Sequence, residues 1–198
     1  MKNAKRTAKI VRKTKETNIT VEINLDGNGK SSISTGIPFL NHMLELFAKH
    51  GLFDLDISAK GDLQIDCHHT IEDLGIVLGD AIAKAAGDKK GIRRYGWCIL
   101  PMDEALAMVS LDLSGRPYLV YDLVPPAAKV KDIDTRLFHE FFQALSVKAG
   151  MNLHINLMKG EEAHHAFEAV FKAFAKALDQ AVSYDSRISG VLSTKGLL

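Results

Sequence analysis

Two copies of one five-residue pattern constrain this chain more than any other feature: His68-His69-Thr70-Ile71-Glu72 and His164-His165-Ala166-Phe167-Glu168. They lie 96 residues apart and use four of the eight histidines. Each opens a run with helical periodicity. On a helix the first His and the Glu, four apart, share a face. The second His diverges by about 100°. Each helix then offers a His/Glu pair in one direction and a lone His in another, which suits two metal ions better than one. Imidazole with carboxylate favours borderline divalent metals such as Mn, Fe, Co, Ni or Zn. One such pattern is readily a solvated helix start; two at matching places argue for ligands.

The matching places come from a repeat of the element order. Residues 4–13 and 17–25 read as strands, with Ile19, Val21, Ile23 and Leu25 alternating. The cationic segment from Lys2 to Lys15 fits an edge strand. Asp26-Gly27-Asn28-Gly29 turns, and residues 30–35 form a short strand. Leu40, Met43, Leu44 and Phe47 mark a helix that Pro38 opens and Gly51 is expected to stop. Residues 52–59 alternate as a strand, 63–67 read as short and extended, and Ile71, Leu74, Leu78, Ile82 and Ala85 stripe a long helix. Residues 87–96 are a basic connector, after which strands are expected at 105–113 and 118–123, a helix at 137–149, a strand at 151–157 and a helix to about Val182. Pro125-Pro126 opens a loop with no counterpart in the first half. The chain is thus expected to be an internal duplication, residues 1–90 and 91–198, forming one compact α+β unit of two small sheets with four helices.

Composition closes off several classes. The net charge of +1 supplies no basic field for nucleic acid or a membrane surface. No apolar run approaches a membrane span, and the N-terminus lacks the apolar core of a secretory signal. Cys67 and Cys98 show no metal or disulfide spacing and read as small buried side chains, so a reducing cytoplasm is expected. With no Walker loop and no GxGxxG, a nucleotide is not indicated.

A third metal-competent group is His42, and the matching helix begins Phe138-His139-Glu140-Phe141-Phe142. His42, either His139 or Glu140, and the two H-H-x-x-E sets (His68, His69, Glu72; His164, His165, Glu168) make eight ligands. That is four for each of two octahedral ions, leaving positions for substrate and water. Arg94, Arg116, Lys172, Lys195 and His50 are candidate anion binders, pointing to a phosphorylated or carboxylated substrate.

A run of ordered motifs carries a resemblance over essentially the whole chain. They are residues 12–17 (RKTKET), 36–43 (GIPFLNHM), 66–73 (DCHHTIED), 93–96 (RRYG), 101–105 (PMDEA), 112–117 (DLSGRP), 164–169 with 171–173 (HHAFEA, FKA), and 193–196 (STKG). Taken together, they resemble imidazoleglycerol-phosphate dehydratase, a family of histidine biosynthesis. The resemblance implies two four-stranded sheets around a helical bundle, a ribosomal protein S5 domain 2-like arrangement. It implies a carbon–oxygen hydro-lyase that dehydrates imidazole glycerol phosphate to imidazole acetol phosphate with two Mn2+ per site and no redox cofactor. It implies a shell of 24 subunits with sites between them. It assigns His42, His68, His69, Glu72, His164, His165 and Glu168 as metal ligands, with Glu140 in the register of the eighth and His139 one residue before it. Glu16 is the implied acid/base group, and Glu72 and Glu168 are implied catalytic residues as well as ligands. Arg94, Arg116, Lys172, Ser193, Thr194, Lys195 and His50 are the implied phosphate and substrate contacts. Two other readings fit the same residues: a dinuclear phosphomonoester hydrolase and a metal-holding shell without catalysis.

Overall fold

The computed structural model describes residues 6–198. Residues 4 and 5 of the first expected strand, and the start of the cationic segment at Lys2, lie outside the described residues. The first half runs β1 (Thr7–Lys13), β2 (Thr17–Asn24), β3 (Ser31–Ser34), α1 (Pro38–Gly51), β4 (Asp54–Gly61) and α2 (His68–Ala86). The second runs β5 (Tyr95–Met102), β6 (Ala105–Asp112), β7 (Tyr118–Asp122), then a small hairpin β8 (Lys129–Val130) and β9 (Ile133–Asp134), and α3 (Leu137–Ala149), β10 (Asn152–Lys159) and α4 (Ala163–Val182).

The two main sheets share one topology: β1-β2-β4-β3 and β5-β6-β10-β7. In each, the first three pair antiparallel and the last joins in parallel. β1, the cationic strand, is an edge, as its charges favour. The period-2 pattern has its expected cause: Ile19, Val21 and Ile23, like Ala107, Val109 and Leu111, face a shared apolar core. The helices cross between halves. α2 lies on the first sheet and packs against α3; α4 lies on the second and packs against α1. Two four-stranded mixed sheets with four helices make this an α+β fold.

Four expectations need correction. Residues 95–102 form a strand, where a connector is expected up to residue 96 and no element from 97 to 104. Its alternation is inverted: Gly96 faces inward while Tyr95, Trp97 and Ile99 face solvent. A side chain at Gly96 would strike the backbone of α4 at Ala177, so the inward position holds nothing a hydrophobic pattern registers. Residues 63–65 form a turn, closed by Ile65 N–H to the Asp62 carbonyl at 2.8 Å, rather than an extended run. The partner strand β2 begins opposite Gly61, so no ladder remains for them. The left-handed residue after α1 is Leu52 (φ 58°), not Gly51, whose missing side chain leaves room for the Phe53 ring. Finally, Cys67 and Cys98 are half-buried rather than buried, and desolvation raises both thiols above the ordinary range.

Candidate active site

Both H-H-x-x-E segments open a helix, where free backbone N–H groups need acceptors. Asp66 accepts from the His68 N–H at 2.7 Å, and Glu162 accepts from the His165 N–H at 2.9 Å. These bonds fix the first turn, and the turn sets the directions of the His and Glu side chains.

On α4 the first His and the Glu converge, and α1 adds a third group. Glu168 Oε1 lies 2.9 Å from His42 Nε2 and 3.0 Å from His164 Nε2. Its other oxygen accepts from Lys172 Nζ, one turn on along α4. His42, His164 and Glu168 form the one cluster of three metal-competent groups within 4.8 Å of one another among the described residues. Burial raises the Glu168 carboxyl, but Lys172, His42 and His164 outweigh it and hold the group at about 2. Cis ligands of an octahedral ion with bonds of about 2.1 Å sit about 3.0 Å apart. The separations here match that spacing, and two imidazoles with one carboxylate suit a borderline divalent cation.

The corresponding groups of the other half are looser. His68 Nε2 stands 3.5 Å from Glu72, and both side chains are more than two-fifths exposed. The burial patterns of α1 and α3 superpose as Leu40 on Phe138, Met43 on Phe141, Leu44 on Phe142, Phe47 on Leu145 and Ala48 on Ser146. That register places Glu140, not His139, at the position of His42. His139 is instead edge-on to Tyr121, with ring centroids 5.2 Å apart, and bonds to Glu140 at 3.2 Å.

The second histidines turn away from both clusters. His69 Nδ1 meets Asp62 at 3.0 Å with Nε2 4.0 Å from Glu16; His165 Nδ1 meets Glu104 at 2.8 Å with Nε2 3.7 Å from Asp103. The Asp62 hydrogen bond raises His69 and the Glu104 hydrogen bond raises His165 above the ordinary imidazole value. Glu16 sits at the tip of the β1–β2 hairpin. Arg12 and Thr17, flanking the hairpin's turn, both bond to the buried Asp73 of α2, which fixes the tip beside His69.

The candidate phosphate contacts divide between two places. Arg94, Arg116, Ser193, Thr194 and Lys195 line one open cavity of about 1020 Å³ formed between the Ser114–Arg116 turn and the C-terminal tail. Within it, Arg94 is already engaged. Its guanidinium pairs with both oxygens of Asp112 at 2.6 and 2.9 Å and donates to the Leu192 carbonyl at 2.7 Å, holding the tail in place. Lys172 and His50 stand instead beside Glu168; burial, then Lys172 and Lys176, lower the His50 pKa. Asp62 and Glu104 were not among the sequence candidates. A signal for Glu104 existed: it precedes Ala105, the first buried residue of β6, as Glu16 precedes Thr17, the first buried residue of β2.

Comparison with known proteins follows the same lines. Residues 35–178 match the family model described as imidazoleglycerol-phosphate dehydratase. The imidazoleglycerol-phosphate dehydratase of Acetivibrio thermocellus is 60% identical over 189 residues, covering 96% of this chain and 97% of that protein. That of Lachnoclostridium phytofermentans is 62% identical over 191 residues, covering 96% and 97%. Among solved structures, the Staphylococcus aureus enzyme aligns with a TM-score of 0.82 at 41% identity, covering 90% of this chain and 99% of that one. The Pyrococcus furiosus enzyme, in complex with (S)-C348, aligns at 0.83 and 39% identity, covering 96% and 100%.

Proposed function

Because the chain belongs to the imidazoleglycerol-phosphate dehydratase family, we propose that it carries out that dehydration through two divalent cations, Mn2+ by preference, held by its own His and Glu clusters. The reaction itself, a step of histidine biosynthesis, comes with the family. The observation that carries the metal reading is the Glu168 cluster: two histidines and a carboxylate from opposite halves of the chain at ligand spacing. His42, His164 and Glu168 would hold one cation. His68, Glu72 and Glu140 are the matching groups for the second, with His69 and His165 completing the sets. When bound, the cations supply positive charge that stabilises an electron-rich imidazole ring.

The remaining work falls to the chain's other residues. Glu16, exposed at its hairpin tip and near His69, is suited to move protons. A carbon-bound proton leaves one glycerol carbon and the hydroxyl of its neighbour leaves as water. The resulting enol tautomerises to the ketone, so no electrons pass to a redox cofactor. Arg116, Ser193, Thr194 and Lys195 would clamp the phosphate, while Arg94 shapes their cavity through Asp112 and Leu192. Holding the phosphate turns the reaction into a positioned one.

Sites shared between copies, in an assembly of about two dozen subunits, are part of the proposal by family analogy. The division of the groups over separate places in one chain supports it, as do the solvent-facing Trp97 and Ile99 of edge strand β5. Among the described residues no helix is long and apolar enough to cross a membrane. The test is to supply imidazole glycerol phosphate with Mn2+. The expected result is a ketone product without free phosphate, lost on chelation and restored by Mn2+. Release of inorganic phosphate would support a hydrolase instead, and turnover unaffected by chelation would end the metal reading.

A further inference from the structure

We propose that Asp62 and Glu104 are a matched pair of positioning residues. Each fixes the ring plane and tautomer of the second histidine of its H-H-x-x-E segment, leaving Nε2 as the atom available to a divalent cation. The inference rests on the reading of His69 and His165 as ligands. Its geometric basis is the same contact made twice. In both histidines it is Nδ1 that meets the carboxylate, Asp62 at 3.0 Å and Glu104 at 2.8 Å. An ionised carboxylate only accepts hydrogen bonds. The Nδ1 must therefore carry the proton, and in the neutral ring the lone pair is on Nε2. A carboxylate behind a ligating imidazole also raises its basicity toward a metal and stops the ring from turning.

The two carboxylates reach these positions by different routes. Asp62 follows the end of β4, on the approach to α2, and its side chain is largely buried. Glu104 comes from the β5–β6 hairpin, and its second oxygen accepts from the backbone N–H groups of Glu162 and Glu161 at 3.0 and 3.4 Å. Glu104 is thus tied to the first turn of α4, the segment that also presents His165. A simple copy of one position by duplication would have put both carboxylates on the same element. The two halves instead reach the same atom-to-atom contact from different elements, which argues that the contact itself is what matters. Glu16, the hairpin residue corresponding to Glu104, stands off from His69 at 4.0 Å. With Asp62 holding that ring from behind, Glu16 is left free for proton transfer.

The experiment compares Glu104→Ala, Glu104→Gln, Asp62→Ala and Asp62→Asn in the full chain. Histidine-labelled, metal-free protein is examined by 15N NMR at a pH where the imidazoles are neutral. Mn2+ affinity is measured separately by calorimetry. In the parent chain His69 and His165 should both be Nδ1–H tautomers. Glu104→Ala should release His165, and Asp62→Ala should release His69, into a mixture richer in the Nε2–H form. Mn2+ affinity should fall 10- to 100-fold, roughly the effect of losing such a partner. The Gln and Asn variants, whose amide oxygens still accept from Nδ1–H, should keep the tautomer and most of the affinity. A lesion that only loosened the fold would not change one histidine's tautomer and be rescued by the amide. Unchanged tautomers in the Ala variants, or Mn2+ affinity equal to the parent's, would overturn the proposal. If the parent chain binds no Mn2+, the ligand reading fails; the NMR result is separate and still decides whether the carboxylates set the tautomers.

Discussion

The Glu168 and Glu72 clusters occupy corresponding places in the two halves, yet they differ in how far the chain organises them. Glu168 has a side chain only 10% exposed and is surrounded by His42, His164 and Lys172. Glu72 is 45% exposed, and its close partner is His68. Two features account for the difference. The position of Lys172 on α4 corresponds to Ile76 on α2, so α2 places no cation one turn beyond its carboxylate. The helix contacts differ as well. Gly75 and Gly79 of α2 sit against α3, where an added side chain would come within 2.5 Å of the Phe141 carbonyl and 2.7 Å of the Leu145 carbonyl. The matching positions on α4 are Phe171 and Ala175, and the aromatic side chains of Phe47 and Phe174 stack between α1 and α4 at 5.4 Å. The lesson is that equivalent donors do not make equivalent sites: one carboxylate is preorganised by protein charge, the other lies open to solvent.

The sharpest way to break this comparison is to remove one ligand from each cluster. His164→Ala and His68→Ala should each cut turnover by at least about 100-fold if the proposed site needs both clusters. If one variant keeps parental activity with full metal content, that cluster is outside the site. Removing the carboxylates should separate the clusters in the metal-free protein. Glu168→Ala leaves Lys172 largely buried and unpaired, at a cost of about 3 kcal/mol, whereas Glu72→Ala should cost less than about 0.5 kcal/mol. Urea unfolding after chelation measures both, and equal losses would erase the distinction between the two clusters.

A smaller effect tests the packing. Gly79→Ala should destabilise by about 1–3 kcal/mol through overpacking against Leu145 and Lys148. Ala175→Gly, the reverse change at the matching position, should cost only about 1 kcal/mol of helix propensity. Equal costs would mean that the close approach belongs to neither helix pair in particular. The subtlest contrast is in pH. His69 and His165 are raised by Asp62 and Glu104, so the stability they contribute is complete below the unfolded imidazole value of about 6.5 and is lost as pH rises through the raised folded value. Glu168 is depressed to about 2, so its contribution is present above the unfolded carboxylate value and lost only as pH falls toward 2. The two His–carboxylate pairs should therefore add stability to the metal-free protein on going from about pH 8 to 6, opposed by His50, whose lowered value makes its protonation work against the fold. Over the same range Mn2+ affinity falls because protons compete for the same nitrogens. Unfolding midpoints and calorimetry across that range give both signs; a metal-free pH dependence unchanged by Asp62→Ala together with Glu104→Ala would count against the two His–carboxylate pairs.

Local chemistry made much of this chain legible in advance. The repeated H-H-x-x-E, the period-2 runs of β2 and β6, the apolar stripes of α2 and α4 and the turn signals around them follow from side-chain periodicity and backbone preference. These act within a few residues, so the element order and the duplication were open to inspection. Glu140 is different: local pattern leaves His139 and Glu140 open, and only the family resemblance, through the register of Phe141-Phe142, favours Glu140. What only the tertiary structure decided depends on groups far apart in the chain. That α4 crosses onto α1, bringing His42 to Glu168 over 126 residues, is a packing outcome that no local pattern encodes. Strand β5 was hidden because its inward position is a glycine that admits the α4 backbone. Asp62 and Glu104 were hidden because a carboxylate beside an imidazole is a relation between two elements. A sequence displays donors and their faces; which donors meet is settled by the cost of leaving buried groups unpaired and apolar faces uncovered, and that cost is summed over the whole fold.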